Sequence, residues 1–528
     1  MKRFFRMGAC FSILSLALAA PLAATDAPQG HYKNFRVAIY VTVDATKRMA
    51  DPAQAEREFD RVWSQVKFDK VYVEDYRDNN FATDAQVEAA KKFFESKGII
   101  VSGGITLAAG NDRGQFNTFD YESAADRATA EKAVREAARH FNQIVLDDFF
   151  FYNTKSDADI AAKGARSWTQ YRLERMRQIA QQVVLGPAKQ VNPKVQVTIK
   201  YPNWYEHFQG LGFDLDKEAQ MFAGIYTGTE TRDPDITDQL LQQYESYEII
   251  RYYDNIRPDG GNHGGWVDTF STRYADRYAE QLWDTLFSKT PEITLFSWGA
   301  MAGEQPAPEG ERPWSGQPTS FDWDAMVKGY HGGGAGPGWA SVAGTALRGV
   351  DKSIGELGNP IGIASYKPFQ SSGEDFLQNY LGNIGIPIEM TPHFPANADT
   401  ILLTEEAGAD PDLVPKVEAA LKAGKTVIIT SGLLRRLQDK GIRDIVEWND
   451  TGNIAAVHDF LNGFGAGNGI SLNDAAHDNP AVLFPEIHFY TNDSWPIIRG
   501  VAHDKGFPIM LMNHYSKGTI YLLNIPEN

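Results

Sequence analysis

An apolar run ends in two adjacent carboxylates at Ile144-Val145-Leu146-Asp147-Asp148, and an aromatic patch, Phe149-Phe150-Phe151-Tyr152, follows at once. Like charges side by side raise one another's pKa, and apolar neighbours add desolvation. One group is then prepared as an acid while the other stays ionised. A third carboxylate, Glu230, sits in Tyr226-Thr227-Gly228-Thr229-Glu230-Thr231-Arg232. Two acids across a pocket rimmed by aromatics suit cleavage of a glycosidic bond. One protonates the leaving oxygen, and the other attacks the anomeric carbon or activates water. Asp147 and Asp148 are neighbours in a strand pattern, so their side chains point apart and do not make the pair by themselves. The preferred pair is Asp148, as nucleophile or base, with Glu230 as general acid. Asp147 then holds a neighbouring hydroxyl or tunes the pKa, and the converse assignment of Asp147 and Asp148 stays open.

Two further motifs carry candidate binding groups, Val73-Glu74-Asp75-Tyr76-Arg77 and Lys200-Tyr201-Pro202-Asn203-Trp204-Tyr205. The substrate-binding candidates are Glu74, Asp75, Tyr152, Lys200, Tyr201, Trp204, Tyr226, Arg232, Trp266 and Trp298, with Asp44 and Asp268 at further strand ends. Each alone also reads as a helix cap, a core aromatic or a surface ion pair. Their shared position after predicted strands is what groups them.

The elements that must position these residues alternate. Strand-like runs fall at 37–43, 70–73, 99–106, 143–146, 195–200, 222–227 and 293–298. Helical patterns fall at 52–66, 84–97, 124–141, 157–184, 236–247 and 272–287, with a last one at 340–357. Another strand is either 247–253 or 266–270, and the second is preferred because a helix follows it directly. Eight β-then-α units predict an α/β fold, a closed (β/α)8 TIM barrel over residues 31–358. An open doubly wound sheet is the rival. Catalytic residues of such barrels stand just past the strands. Residues 300–338, rich in Gly and Pro and holding Trp314 and Trp323, read as a long eighth loop. A Rossmann-like α/β unit follows at 359–470, and a β-rich segment at 471–528 either closes that unit or forms a small third one.

The chain begins with Lys2, Arg3 and Arg6, an apolar run at 11–18 and small residues up to Ala24. That order predicts a cleaved secretory signal peptide over residues 1–24 and a periplasmic or secreted protein with no membrane anchor. Cys10 is the only cysteine and lies in that segment, so the mature chain has no thiol. The formal charge of −17 argues against nucleic acid as a partner. The 11 histidines are scattered, with no His-Glu-x-x-His pair, no twelve-residue calcium loop and no Gly-x-Ser-x-Gly elbow. The expectation is therefore no metal and no cofactor, with a carbohydrate as substrate.

The barrel with Leu146-Asp147-Asp148-Phe149-Phe150 resembles a glycoside hydrolase barrel. A nucleophile after strand four and an acid after strand six is the layout of the α-galactosidase clan, although that clan's Lys-x-Asp motif is missing here. The Asp-x-x-Asp-x-Asp-x-Glu run of the chitinase-like family is missing too. Residues 400–404, the helix from Pro411, and 426–432 are similar to the glutamine-amidotransferase-like domain that follows the barrel in family 42 β-galactosidases. Active amidotransferases need a Cys nucleophile there. Without one, the resemblance implies a structural or homo-oligomer-forming domain. Family 42 enzymes use Glu after strands four and seven, so their catalytic residues do not transfer onto Asp147 and Asp148. The resulting expectation is an exported glycoside hydrolase of two-carboxylate type. A non-catalytic carbohydrate binder on a degenerate barrel, and a metal-dependent hydrolase or deacetylase, are the alternatives.

Overall fold

A computed structural model describes residues 30–110, 116–203, 208–232, 242–303, 338–374, 377–462, 470–471, 481–502 and 505–527. The expected signal peptide, Trp204, Trp314 and Trp323 lie outside these residues.

Eight parallel strands close into a barrel: β1 (Arg36–Val41), β2 (Lys70–Arg77), β3 (Ile100–Ile105), β4 (Gln143–Leu146), β5 (Gln196–Tyr201), β6 (Gly224–Gly228), β7 (Asn262–Asp268) and β8 (Glu292–Phe296). Closure is made by β1, which pairs in parallel with β2 on one side and β8 on the other. The rival open sheet is thereby excluded. The seventh strand begins earlier than the preferred reading. Its rival, 247–253, lies inside helix Glu245–Ile256, whose apolar residues recur at helical spacing. The single helix expected over 157–184 is broken. Gly164, at φ 58, ends helix Asp157–Lys163, and Ser167 then caps helix Trp168–Ile179 with a capping box to Gln170.

The barrel interior is aromatic. Tyr40, Tyr72, Tyr226 and Trp266 are buried there with Ala38 and Val145, and Phe296 packs against them. Rings of this size fit only where the facing strands carry no side chain. A Cβ on Gly104 of β3 would lie 2.6 Å from Tyr40 Cε2, and one on Gly264 of β7 would lie 2.5 Å from Tyr226 Cζ. Gly103 serves the outer face, where a Cβ would lie 2.5 Å from Phe141 Cδ2. The Gly-Gly step in β3 thus lets Tyr40 cross the barrel and lets the helix ending at Phe141 approach from outside.

The second unit is built on a nine-stranded sheet, beside which strands Asn449–Val457 and Val482–His488 pair antiparallel as a separate sheet. Strands Ile363–Tyr366, Ile388–Thr391, Thr400–Leu403, Thr426–Thr430 and Gly518–Leu523 pair in parallel. Strand Lys505–Tyr515 then turns the sheet antiparallel against Gly518–Leu523. Because Gly518–Leu523 lies beside Thr426–Thr430, the β-rich end closes the α/β sheet and is not a third unit.

Replacing Gly104 by Ala drives a methyl group into the Tyr40 ring. Overpacking of this kind costs about 1–3 kcal/mol, which urea unfolding of the Gly104→Ala variant should show; a midpoint equal to that of the natural protein would contradict this packing account.

Candidate active site

The C-terminal ends of β2 to β7 converge on one ammonium group. Lys200, on β5, is buried, and its Nζ lies 2.7 Å from Asp148 Oδ2, 2.9 Å from Glu230 Oε1 and 3.4 Å from Asp147 Oδ1. A buried ammonium that far from water needs such partners. Its lower side rests over Trp266, 4.7 Å from the ring centroid. The sequence placed Asp147, Asp148, Glu230 and Lys200 at separate strand ends; the closed barrel brings all four together.

A second cation braces the group. Arg77, at the end of β2, bonds Asp147 Oδ2 at 3.1 Å and Glu74 Oε1 at 3.0 Å. Glu74 is fully enclosed, accepting from Tyr40 Oη at 2.7 Å and from the Val43 backbone N–H at 2.6 Å. Glu74 therefore holds Arg77 and does not reach substrate, which corrects its place among the binding candidates. Thr106, past β3, donates to Glu74 and lies 3.1 Å from Asp147 Oδ2. Tyr40 and Thr106 were absent from the sequence-based site, and Arg77 stood in the Val73–Arg77 motif without an assigned role. Strand-end position was the available signal for Arg77 and Thr106.

On the far side, Arg232 lies 3.1 Å from Asp268 Oδ2 at the end of β7. Asn203 donates its amide to the Glu230 backbone carbonyl. Gly228 is needed beneath the Glu230 carboxylate, because a Cβ there would lie 2.6 Å from Oε2.

Most predicted aromatic contacts belong to packing instead. Tyr152 is buried against Tyr121 and Tyr171 and bonds Asp159. Tyr201 donates to Glu218 and stacks on Tyr253. Tyr226 bonds Thr294 at 2.7 Å and Glu292 at 3.1 Å, toward the opposite end of the barrel. Trp298 lies between barrel and helices and donates to Glu58 at 2.7 Å. Trp266 forms the floor under Lys200. Large rings bury well, and their polar tips find single partners, so a strand-end aromatic is as useful to the core as to a sugar. Asp75 is the extra residue of a bulge in β2 and is buried, and neither of its carboxylate oxygens has a hydrogen-bond partner among the described residues. Burial, with Glu74 and Glu136 adding to it, holds it well above the usual carboxylate range. Among the described residues, the aromatic faces left at the mouth are Phe149 and Phe296, which flank Arg77 at 5.9 and 5.6 Å, and Phe270, which is 66% exposed.

The electrostatics separate the acids. Lys200, Arg77 and Arg232 face five carboxylates: Glu74, Asp147, Asp148, Glu230 and Asp268. Burial would raise Asp147, but Lys200 and Arg77 outweigh it and hold Asp147 below the usual range. Asp148 is pushed up to about 7, first by burial and then by Asp147 and Glu230, against the pull of Lys200. Burial also raises Glu230, helped by Asp268 and opposed by Lys200 and Arg232. Two carboxyls of this crowded group, Asp148 and Glu230, are thus held above the usual range, while Asp147 is held below it. A proton donor, a buried cation and ionised carboxylates in one barrel mouth are the equipment of acid-catalysed bond cleavage at an acetal.

That chemistry and the closed barrel define a glycoside hydrolase. Residues 24–356 match the family described as "Probable glycosyl hydrolase, catalytic domain", and the chain belongs to that family. Residues 358–528 match the second domain of the uncharacterized protein SSO3021. SSO3021 of Saccharolobus solfataricus is 23% identical over 536 residues, covering 93% of this chain and 82% of that relative. Among solved structures, a β-galactosidase from Bacillus circulans sp. alkalophilus aligns with a TM-score of 0.58 at 10% identity, over 94% of this chain and 87% of the other. The α-L-fucosidase isoenzyme 2 of Paenibacillus thiaminolyticus aligns with 0.55 at 10% identity, over 92% and 79%. These likenesses show the fold: a family 42-like barrel followed by a β-rich C-terminal region.

The raised Asp148 has a thermodynamic sign. Between the ordinary carboxylate range and about 7, the folded chain keeps a proton that the unfolded chain releases. Its stabilising contribution is complete below that window and is lost as pH rises through it, with a slope of at most about 1.4 kcal/mol per pH unit. Asp148→Asn mimics the protonated form. The variant should gain stability relative to the natural protein from pH 5 to pH 8 in thermal melts; a constant difference would refute the assignment.

Proposed function

We propose that the chain is an exported glycoside hydrolase that cleaves an oligo- or polysaccharide with Asp148 and Glu230 as its working pair. The observation that carries this is their shared bond to Lys200 Nζ, beside the burial and like charges that push Asp148 up to about 7. Asp148 protonates the leaving oxygen. Glu230, between Lys200 and Arg232, attacks the anomeric carbon. Asp147, tied to Arg77, Thr106 and the Asp148 backbone N–H, stays ionised and holds Lys200 in place. The sequence assigned the two roles the other way round. The reversal rests on charge: burial, Asp147 and Glu230 push Asp148 up to about 7, and Glu230 lies between Lys200 and Arg232.

The bonded oxygens of Asp148 and Glu230, 2.7 and 2.9 Å from one nitrogen, approach the roughly 5–5.5 Å spacing of a retaining pair more nearly than the roughly 6.5–9.5 Å of an inverting one. This supports retention of anomeric configuration. A second reading makes Asp268 the nucleophile. It is favoured by the position of Asp268 at the end of β7, its bond to Arg232, and the family 42 habit of placing the second acid after strand seven. The names of the similar structures make β-galactosides and α-L-fucosides the first substrates to offer.

Export is supported by the charged, apolar, small-residue order of residues 1–24. The parallel half of the second sheet, with no cysteine after Cys10, supports an amidotransferase-like domain without its nucleophile. Exposed Tyr380 and Ile384, one helical turn apart, support a homo-oligomer through that domain. N-terminal sequencing and light scattering of the exported protein check both readings: an intact Met1, or a monomer, would remove one or the other.

Asp148→Asn and Glu230→Gln should each lower kcat at least about a hundredfold while the fold persists by circular dichroism. NMR of the first product should show the starting anomer. Full activity in Glu230→Gln with loss in Asp268→Asn would move the nucleophile to Asp268. Glycan binding without turnover by the natural protein would leave a binder, not an enzyme.

A further inference from the structure

Helix Glu245–Ile256 touches the active site with one face and the second domain with another. On the barrel side, Ser246 Oγ donates to the Thr229 carbonyl at 2.9 Å and lies 3.4 Å from Thr231 Oγ1. These two residues flank Glu230. Thr229 is tied in turn to β7, through its backbone N–H and hydroxyl to the Trp266 carbonyl, both at 2.9 Å. Tyr253, further along the helix, stacks on Tyr201 at 5.6 Å and 9°. Tyr201 follows Lys200 directly. The helix therefore packs beside both groups of the Lys200–Glu230 bond.

On the other side, the same helix is bound to the second domain through strand Ile388–Thr391 and the segment after Ile363–Tyr366. Arg251 forms a two-pronged bond to Glu389, at 2.7 and 3.1 Å. Asn255 Nδ2 donates to Glu389 Oε1 and to the Met390 carbonyl, both at 2.9 Å. Tyr252 donates to the Lys367 carbonyl at 3.2 Å. Just before the helix, the Tyr244 hydroxyl accepts from the Ile388 N–H at 3.0 Å. Tyr244 packs so closely on Gly382 that a Cβ there would lie 2.0 Å from its Cδ1. A planar guanidinium gripped on both nitrogens fixes orientation as well as distance.

We infer that the second domain is part of the active-site machinery: through Glu389, Arg251 and Ser246 it holds the helix that sets the Glu230 loop against Lys200. Glu389, Arg251 and Ser246 are positioning residues, and none touches the reacting groups. The inference rests on the reading of Glu230 as catalytic only for its kinetic consequence; its structural part stands alone. A carboxylate carried on a loop is placed by what lies behind the loop. A shift of about 1 Å in such a group costs about a hundredfold in rate.

The test compares the full-length natural protein with Glu389→Ala and Glu389→Gln. Glutamine keeps the shape and a hydrogen-bonding oxygen; alanine removes the anchor of Arg251 and Asn255 together. Hydrogen exchange read by mass spectrometry, without substrate, should accelerate across residues 226–232 and 244–256 in Glu389→Ala and stay close to natural in Glu389→Gln. With a glycoside substrate, kcat of Glu389→Ala should fall about tenfold to a hundredfold at nearly constant KM, and Glu389→Gln should restore most of it. If Glu389→Ala fails to fold, Asn255→Ala removes two of the bonds, keeps the ion pair and is read the same way. Unchanged exchange over 226–232, or an unchanged kcat, overturns the inference. Altered exchange with no turnover even by the natural protein overturns the glycosidase reading and leaves the helix linkage standing.

Discussion

The buried ammonium of Lys200 is the constraint on which the site depends. Taking a full charge into a barrel interior is costly unless opposite charges and hydrogen bonds surround it. Asp147, Asp148 and Glu230 supply them from two different strand ends. Three acids on one cation leave more negative charge than Lys200 can neutralise. The excess is met in two ways. Arg77 takes a share of Asp147, and Asp148 is pushed up to about 7. The proton affinities of the acids are thus separated by the wiring of the group.

That wiring exists only because the barrel closes. Arg77, Asp147, Lys200 and Glu230 belong to four β/α units, and closure turns their strand ends inward at one level. The interior beneath them is filled by Tyr40, Tyr226 and Trp266. At the opposite end, Glu292 gathers Lys70, Tyr72 and Tyr226 in a second polar layer. A cavity of about 600 Å³ opens there, bordered by Lys70, His263 and Glu292. It lies at the N-terminal face, where residues of such barrels serve stability, and the chemistry stays at the other mouth.

The second domain is joined to the barrel by a polar, well-matched contact on helix Glu245–Ile256. Arg251, Tyr252 and Asn255 on that helix meet Glu389, Met390 and Lys367, and Ser246 on the same helix meets the loop of Glu230. A domain that carries no acid of the site can in this way govern where one of those acids stands.

The sequence by itself determined the local things. Period-two and period-3.6 patterns located most of the barrel elements, and the cap at Ser123 and the capping box at Thr83 were written into neighbouring residues. It also determined that Asp147, Asp148, Glu230 and Lys200 end strands, because strand and turn chemistry are local. It could not decide which polar residue bonds which, since Arg77 and Asp147 are 70 residues apart, and Lys200 and Asp148 are 52 apart. It also misjudged the aromatics. Tyr152, Tyr201, Tyr226 and Trp298 follow strands as sugar platforms would, and only packing shows that each is enclosed with its polar tip satisfied. Tertiary structure set the proton affinities of the acids for the same reason. A carboxylate's affinity for its proton depends on burial and on charges a few ångströms away, and both arise only when distant strands close into one barrel.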